Sequence, residues 1–281
     1  MTSFIDRIAN DSVKLTETER KIVDALVADR HETVFLSGPQ LAERLSVHEA
    51  AATRLAQKLG YKGYPQLRSM LQKEMMETQD AAKRMRRSVA MAGEKGYLQD
   101  LIDSEIAALE NMVQTVSQED IDQAVDMIFE AGKIFLFGQG HAQSVLSFLQ
   151  RRLDRFGMTT IGLAGRGRDI ADRIVSLHAG DVVVGMAFRK QPEGYGPLMA
   201  HARSVGARTI LISDLSGLAM EPRADLVLAA PRGRSGSEFQ TPTVPFAIVN
   251  AVLITMAARH EKQAIGALEK LSDLFRHFEE K

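Results

Sequence analysis

Arg54, Lys58 and Lys62 stand in a run, SVHEAAATRLAQKLGYKGY (46–64), that is small, basic and periodic. An arginine can form two hydrogen bonds with the edge of a guanine, and a lysine is a point charge suited to a phosphate. The residues of this run placed to meet a nucleic acid are His48, Glu49, Ala50, Thr53, Arg54, Lys58 and Lys62. Between positions 44 and 73 six cations (Arg44, Arg54, Lys58, Lys62, Arg68 and Lys73) are opposed by one acid, Glu49. A local basic patch in a chain of net charge −1 points to an anionic partner for that patch. Charge and spacing alone fit the solvated face of a plain helical bundle equally well.

A second set of chemistry-bearing residues lies in three loops. In FGQGHAQS (137–144), Gly138 and Gly140 permit a tight turn, and Gln139, His141 and Ser144 surround the start of a helix whose free N–H groups favour an anion. A dinucleotide fingerprint would place a third glycine at Gln143, so no nicotinamide or other cofactor is expected. In AFRKQP (187–192), Phe188 precedes Arg189, a fork for an oxyanion, and Lys190, a point charge. In PRGRSGSEFQTP (231–242), Arg232, Arg234, Ser235 and Glu238 are placed to close over a ligand. The alternative for the second loop is a surface turn that binds nothing. His141 and Glu238 are the only residues of these loops suited to general-base work, and no tuned pair accompanies them, so no catalytic residue is assigned. No His, Asp or Glu spacing suggests a metal site.

The elements that must position these residues follow from periodicity. In the first run Ala52, Leu55, Ala56 and Leu59 form one narrow apolar stripe over a helix predicted at 48–59. Before it, SGPQLAERL has Ser37 and Gln40 in capping-box spacing, and Ser46-Val47-His48 make a tight joint with Val47 free to plug the core. Two short helices, a tight turn and a polar outer face are the parts of a helix-turn-helix, whose second helix enters the major groove. LTETERKIVDALVADR reads as a preceding helix capped by Thr16 or Thr18. Residues 79–118 read as a helical connector broken near Gly93 and Gly96. Five β-branched runs then alternate with helical stretches: 133–138, 158–163, 181–188, 207–214 and 224–230. This predicts parallel βαβ units in a doubly wound five-stranded sheet, closed by a last helix over 245–262. The expected organisation is a DNA-binding domain at 1–78, the connector at 79–118 and a sheet domain at 119–281 that binds an effector and dimerises. Ligands of such sheets bind beyond the carboxyl ends of the strands, where the three loops converge.

Composition narrows the classes. The chain of 281 residues has no cysteine, which excludes disulfides, thiolate zinc sites and cysteine nucleophiles. The polar start MTSFIDRIANDSVK has no apolar core of a signal peptide, and no apolar run is long enough for a membrane span, so a cytoplasmic location without membrane partners is expected. Up to residue 90, 15 Lys and Arg stand against 12 Asp and Glu; the remainder holds 20 against 24, so the positive balance belongs to the amino-terminal part.

The run LTETERKIVDAL…LSGPQLAERLSVHEAAATRLAQKLGYKGYPQLRSML is similar, almost end to end, to the helix-turn-helix of the RpiR/MurR-type bacterial transcription regulators. Val47, Ala50, Arg54, Lys58, Leu59, Gly60, Lys62 and Gly63 match that family's string, with Tyr61 and Tyr64 for phenylalanine; His48 and Ala51 replace hydroxylic residues suited to capping and to phosphate contact. The later half resembles the family's SIS (sugar isomerase) domain. Gly138 and Gly140 match its G-x-G-x-S motif with Ala142 at the serine, while Ala187–Pro192 retains none of the S-x-S-G-x-T set. The resemblance spans roughly residues 12–270. It implies a regulator, a repressor of a catabolic operon, that binds double-stranded operator DNA as a homo-dimer or tetramer and senses a small anionic effector such as a sugar phosphate. A SIS-fold enzyme handling phosphosugars, and a regulator that senses a carboxylate metabolite, are the alternatives.

Overall fold

The computed structural model describes residues 15–28, 33–34, 36–79, 81–91, 96–233 and 239–279, together with Phe4 and Ile8. It divides into two compact units, Met1–Ser104 with Gly233–Gln240, and Glu105–Arg232 with Thr241–Lys281.

The first unit contains α1 (Glu17–Ala28), α2 (Gly38–Leu45), α3 (Ala50–Lys58), α4 (Tyr64–Gln79) and α5 (Ala81–Met91). Thr16 opens α1: its hydroxyl accepts from the Glu19 N–H at 3.3 Å and its own N–H donates to the Glu19 carboxylate at 2.8 Å. Ser37 and Gln40 form the expected box at α2. The core comprises Ile22, Leu26, Leu41, Leu55, Leu67 and Leu71, all fully buried, with Val47 packed against it. Helix α3 ends at Gly60, whose φ is +83°; the Gly60 N–H donates to Gln57 O and the Tyr61 N–H to Ala56 O, the paired bonds of a Schellman cap.

Helix α6 (Tyr97–Met112) crosses from the first unit into the second. The second unit continues with α7 (Gln118–Phe129), β1 (Ile134–Gly138), α8 (Ala142–Arg155), β2 (Thr160–Leu163), α9 (Gly167–Ile174), β3 (Val182–Ala187), α10 (Tyr195–Val205), β4 (Arg208–Ser213), β5 (Leu226–Ala229), α11 (Thr243–Arg259) and α12 (Glu261–Glu279). The five strands are parallel in the order β2-β1-β3-β4-β5. Ile134 and Leu136 face one core with α7, α8 and α11; Phe135 and Phe137 face the other with α9 and α10. Parallel strands buried on both faces read as continuous apolar runs, which is why β1 and β3 were legible, while β2 at the sheet edge is only half-buried over Thr160–Gly162.

The end of the chain departs from expectation. The last helix is not one element over 245–262 but two, α11 and α12, bent by 102°. Among the described residues no single helix is long and apolar enough to cross a membrane.

The strand order reverses direction between β1 and β3, so their carboxyl ends form the crevice of a 2-1-3-4-5 sheet. Gly138 ends β1 there. A Cβ at this position would lie 2.6 Å from Leu146 Cδ1 and 3.1 Å from the Met186 carbonyl. Its glycine therefore lets α8 and β3 close on β1. Gly138→Ala is expected to cost roughly 1–3 kcal/mol through overpacking, read as a lower denaturant midpoint; an unchanged midpoint would show that the interface yields freely.

Candidate nucleic-acid interface and effector site

On α3, Ala51, Ala52, Leu55, Ala56 and Leu59 are buried while Ala50, Thr53, Arg54, Gln57 and Lys58 are exposed. The exposed positions recur at steps of three and four and make one continuous face. His48, Glu49 and Lys62 are exposed at its two ends. All seven residues expected to meet DNA are thus at the surface of one helix and its flanks. Gln57 lies in the middle of that face and was left out of the set, although glutamine is suited to an adenine edge. Arg68, by contrast, is half-buried, and its Nε is shielded without a hydrogen bond.

Two departures from the family string have structural answers. His48 Nδ1 accepts the Ala50 N–H at 3.2 Å, so the imidazole satisfies one free N–H of the first turn of α3, whose N-cap Glu49 makes no side-chain cap bond. Ala51 is 2 % exposed within the core, so the missing hydroxyl there removes no phosphate contact. The joint before them is tight: Ser46 sits at φ +53°, a left-handed conformation for a residue with a Cβ, and its N–H and that of Val47 close the end of α2 on Glu43 O and Ala42 O.

Lys58 has a second duty. Its Nζ lies 2.7 Å from Glu19 Oε2 and fixes α3 to α1. Burial raises the Glu19 carboxyl, but the bonds from Lys58 and from the Thr16 N–H and hydroxyl together outweigh it and hold the group below the ordinary glutamate value.

In the second unit the loops after β1, β3, β4 and β5 share one edge, because the register pairs Gly138 with Met186, Ala187 with Ser213 and Ser213 with Ala229. One buried carboxylate joins three of them. Asp214 accepts the Arg189 N–H at 3.1 and 3.0 Å, the Ser216 N–H at 3.2 Å and hydroxyl at 2.5 Å, and Arg232 Nη2 at 3.2 Å. Arg232 also lies 4.1 Å over the Phe188 ring. The Lys190 N–H donates to Phe188 O around Arg189, whose φ is +68°. The turn is a three-residue γ-type turn centred on a residue with a Cβ, a costly conformation that its bonds to Asp214 sustain.

The sequence-derived ligand set sorts accordingly. Gly140, at φ +58°, Gln139, His141, Ser144 and Lys190 are exposed at this edge, and Arg189 is half-exposed. Gln139 is engaged, its amide donating to Glu193 O at 2.9 Å. Gly138 is buried and serves packing. Phe188 is covered by Arg232 and packs on the core, so it braces the loop and is not an open ligand platform. Arg232, read as a ligand group, is 7 % exposed and committed to Asp214. Arg234, Ser235 and Glu238 lie outside the described residues. Asp214 was missed, since a lone acid after a strand carries no local signal. The loop after β2 was missed too: Gly165-Arg166-Gly167-Arg168 exposes two further cations at the start of α9, with the Arg166 N–H on Asp169 at 3.0 Å. Beneath the crevice Tyr195 is fully buried, its hydroxyl donating to Pro222 O at 3.1 Å; burial, with the Glu221 carboxylate, pushes its phenol up to about 12.

A helix-turn-helix unit thus precedes, along the chain, a doubly wound sheet with a cationic crevice at its switch point. Residues 2–78 match the helix-turn-helix domain of the rpiR family. The chain is similar to the HTH-type transcriptional regulator HexR of Pseudomonas aeruginosa, 24 % identical over 213 residues that span 75 % of this chain and 73 % of that one. Its sheet domain is similar to the sugar isomerase domain of an RpiR transcription factor from Sphaerobacter thermophilus, at 25 % identity and TM-score 0.56 over 63 % of this chain and 97 % of that one. The Vibrio vulnificus NanR protein, solved with ManNAc-6P, shares the whole fold at 17 % identity and TM-score 0.55 over 99 % of each chain. Residues 2–78 are thus an rpiR-family helix-turn-helix domain, and the sheet domain that follows is similar to the sugar isomerase domain of a regulator of that type.

The Glu19–Lys58 pair gives the contact between α3 and α1 an acid-sensitive component. Because the folded Glu19 is held below its unfolded value, its contribution is complete above the unfolded value and is lost as pH falls through the folded one. Glu19→Gln should lower neutral-pH stability by at most about 1 kcal/mol and remove that acid-dependent component. Equal acid profiles for both proteins would exclude the pair as its source.

Proposed function

We propose that the protein binds a near-palindromic operator as a dimer through α3, with Arg54 at a base edge and Lys62 on phosphates, and represses a catabolic operon until a sugar phosphate occupies the crevice of the sheet domain. The observation that carries the DNA reading is the continuous polar face Ala50–Thr53–Arg54–Gln57–Lys58 opposite a fully buried stripe, in a unit matching a known DNA-binding family. The effector reading is supported by the exposed Gly140, the cations Arg189 and Lys190 at the switch point, and the sugar phosphate held by NanR. On this reading the sheet domain senses its ligand and does not turn it over. The relatives of regulator type support that reading, as does the lack of a paired acid and base among the described crevice residues. The ligand must favour one arrangement of two reading heads over another, or DNA affinity would not respond. The connector over 79–118, which holds α5 and α6, is the element proposed to carry that bias. A carboxylate effector is the second reading, favoured by one observation: Arg189 and Lys190 stand where hydroxyls would cradle a phosphate.

Purified protein tested on genomic fragments at two salt concentrations should bind selectively, with affinity falling steeply as salt rises. Weak binding, equal on all fragments, would overturn the operator reading. Arg54→Ala should cost about 1–3 kcal/mol of specific binding, measured as the affinity ratio between operator and random duplex; an unchanged ratio would remove Arg54 from the base-reading role.

Arg189→Ala should abolish release of operator by phosphorylated sugars while leaving unliganded affinity intact. An unaltered dose–response curve would place the effector elsewhere, and a response to sugar acids alone would favour the second reading.

A further inference from the structure

The chain passes between its two units at three places: within α6 from Ser104 to Glu105, on leaving the sheet domain from Arg232 to Gly233, and on returning from Gln240 to Thr241. All three crossings meet at one turn of α6. At the exit, a Cβ on Gly233 would stand 3.6 Å from the Ser104 hydroxyl oxygen. At the return, the Thr241 hydroxyl donates to Glu105 Oε1 at 2.6 Å. Between them, the Phe239 N–H donates to the Ser88 hydroxyl of α5 at 2.8 Å. The segment after β5 is therefore bonded to both helices of the connector.

A carboxylate fixes the exit and another fixes the return, but the two are unlike. Asp214, which holds Arg232, is also filled by donors from Arg189 and Ser216. Glu105 takes the Thr241 hydroxyl on one oxygen, whereas Oε2 is shielded from solvent without a hydrogen-bond partner among the described residues. A shielded carboxylate oxygen left unfilled costs stability, so this pair is a poor device for rigidity alone. It suits a joint that must yield to a modest force. Thr241 Oγ1 also accepts the N–H of Thr243 at 3.3 Å, where α11 begins. That helix packs on the sheet through Val244, Ile248, Val249 and Val252, so the joint is anchored on the sheet side as well.

We propose that Glu105 and Thr241 form the joint through which the crevice biases the connector. A ligand that engages Arg189 competes with the bonds holding that loop to Asp214. The Asp214 carboxylate then resets Arg232 at the exit, and the segment that returns at Thr241 passes the change to α5 at Ser88 and to α6 at Glu105. Glu105 is a positioning residue: it sets where α6 stands and touches no ligand. The joint rests on the regulator reading for its use, whereas the coupling itself exists in the chain without DNA.

The test is hydrogen exchange of the full chain, read over 84–91 in α5 and 97–104 in α6. Arg232→Met takes the cation from Asp214 and should speed exchange there about fivefold or more, the low end of ordinary coupling between sites. In a Thr241→Val background, which keeps the shape and loses the hydroxyl, the same substitution should leave those amides unchanged. In a Glu105→Gln background the amide oxygen still accepts the hydroxyl, and the response should persist. Melting curves establish that each variant is folded; if Arg232→Met is not, Arg232→Lys keeps the charge without the planar fork and disturbs the same pair. Exchange that ignores the exit substitution, a response that survives Thr241→Val, or one lost in Glu105→Gln would each overturn the joint. The two readings fail separately. Coupled exchange in a protein without selective DNA binding refutes the operator reading alone, and selective operator binding with uncoupled exchange refutes the joint alone.

Discussion

The sheet domain's working edge depends on one carboxylate. Asp214 takes bonds from the β3 loop at Arg189, from its own loop at Ser216 and from the segment after β5 at Arg232. A charge this little exposed is tolerated only where its lone pairs are filled, and here backbone and side-chain donors fill them together. The consequence is geometric. Arg189 is held in a left-handed turn, Phe188 is fixed under a guanidinium, and the edge that remains open is bordered by Gly140, Lys190 and the cations after β2. The β3 loop is thus fixed by a carboxylate that pins it from outside.

The reading head is built on the same logic at smaller scale. A buried apolar stripe decides which side of α3 faces out, and local bonds fix its ends: the His48 imidazole at the start and the Gly60 cap at the finish. Strain sits at Ser46, just before α3, as it sits at Arg189 beside the crevice. Positions of this kind persist when surrounding bonds over-determine them, and they gather at functional sites. Lys58 shows the cost of such economy, since the cation nearest the end of α3 also ties that helix to α1.

Regulation needs the two units to share a consequence. Helix α6 belongs to both, and α4 begins in the core of the reading head at Tyr64, Leu67 and Leu71 before running to Gln79. A helix holds its shape because its backbone bonds are internal, which makes α4, α5 and α6 physical candidates for the proposed coupling. An effector changes DNA affinity only by the difference in its affinity for the two arrangements.

By itself the sequence determined what is local. A capping pair three residues apart placed the start of α2, a lone threonine at 16 or 18 that of α1, an apolar stripe with its polar complement placed α3, and β-branched runs placed all five strands, because each signal is written within a turn or a strand. It also marked Gly138 and Gly140, although not that the first serves packing and the second the turn. Tertiary structure decided the partners of charge and ring. Glu19 and Lys58 are 39 positions apart, Asp214 and Arg232 are 18, and Phe188 meets Arg232 across two intervening strands. It also split the final helix at His260, where the ring stacks on Phe129 at 3.4 Å, a stop that no capping residue announced. A side chain's bonding choice depends on what folding brings within about 3 Å, and that separation is not written in the spacing of residues along a chain.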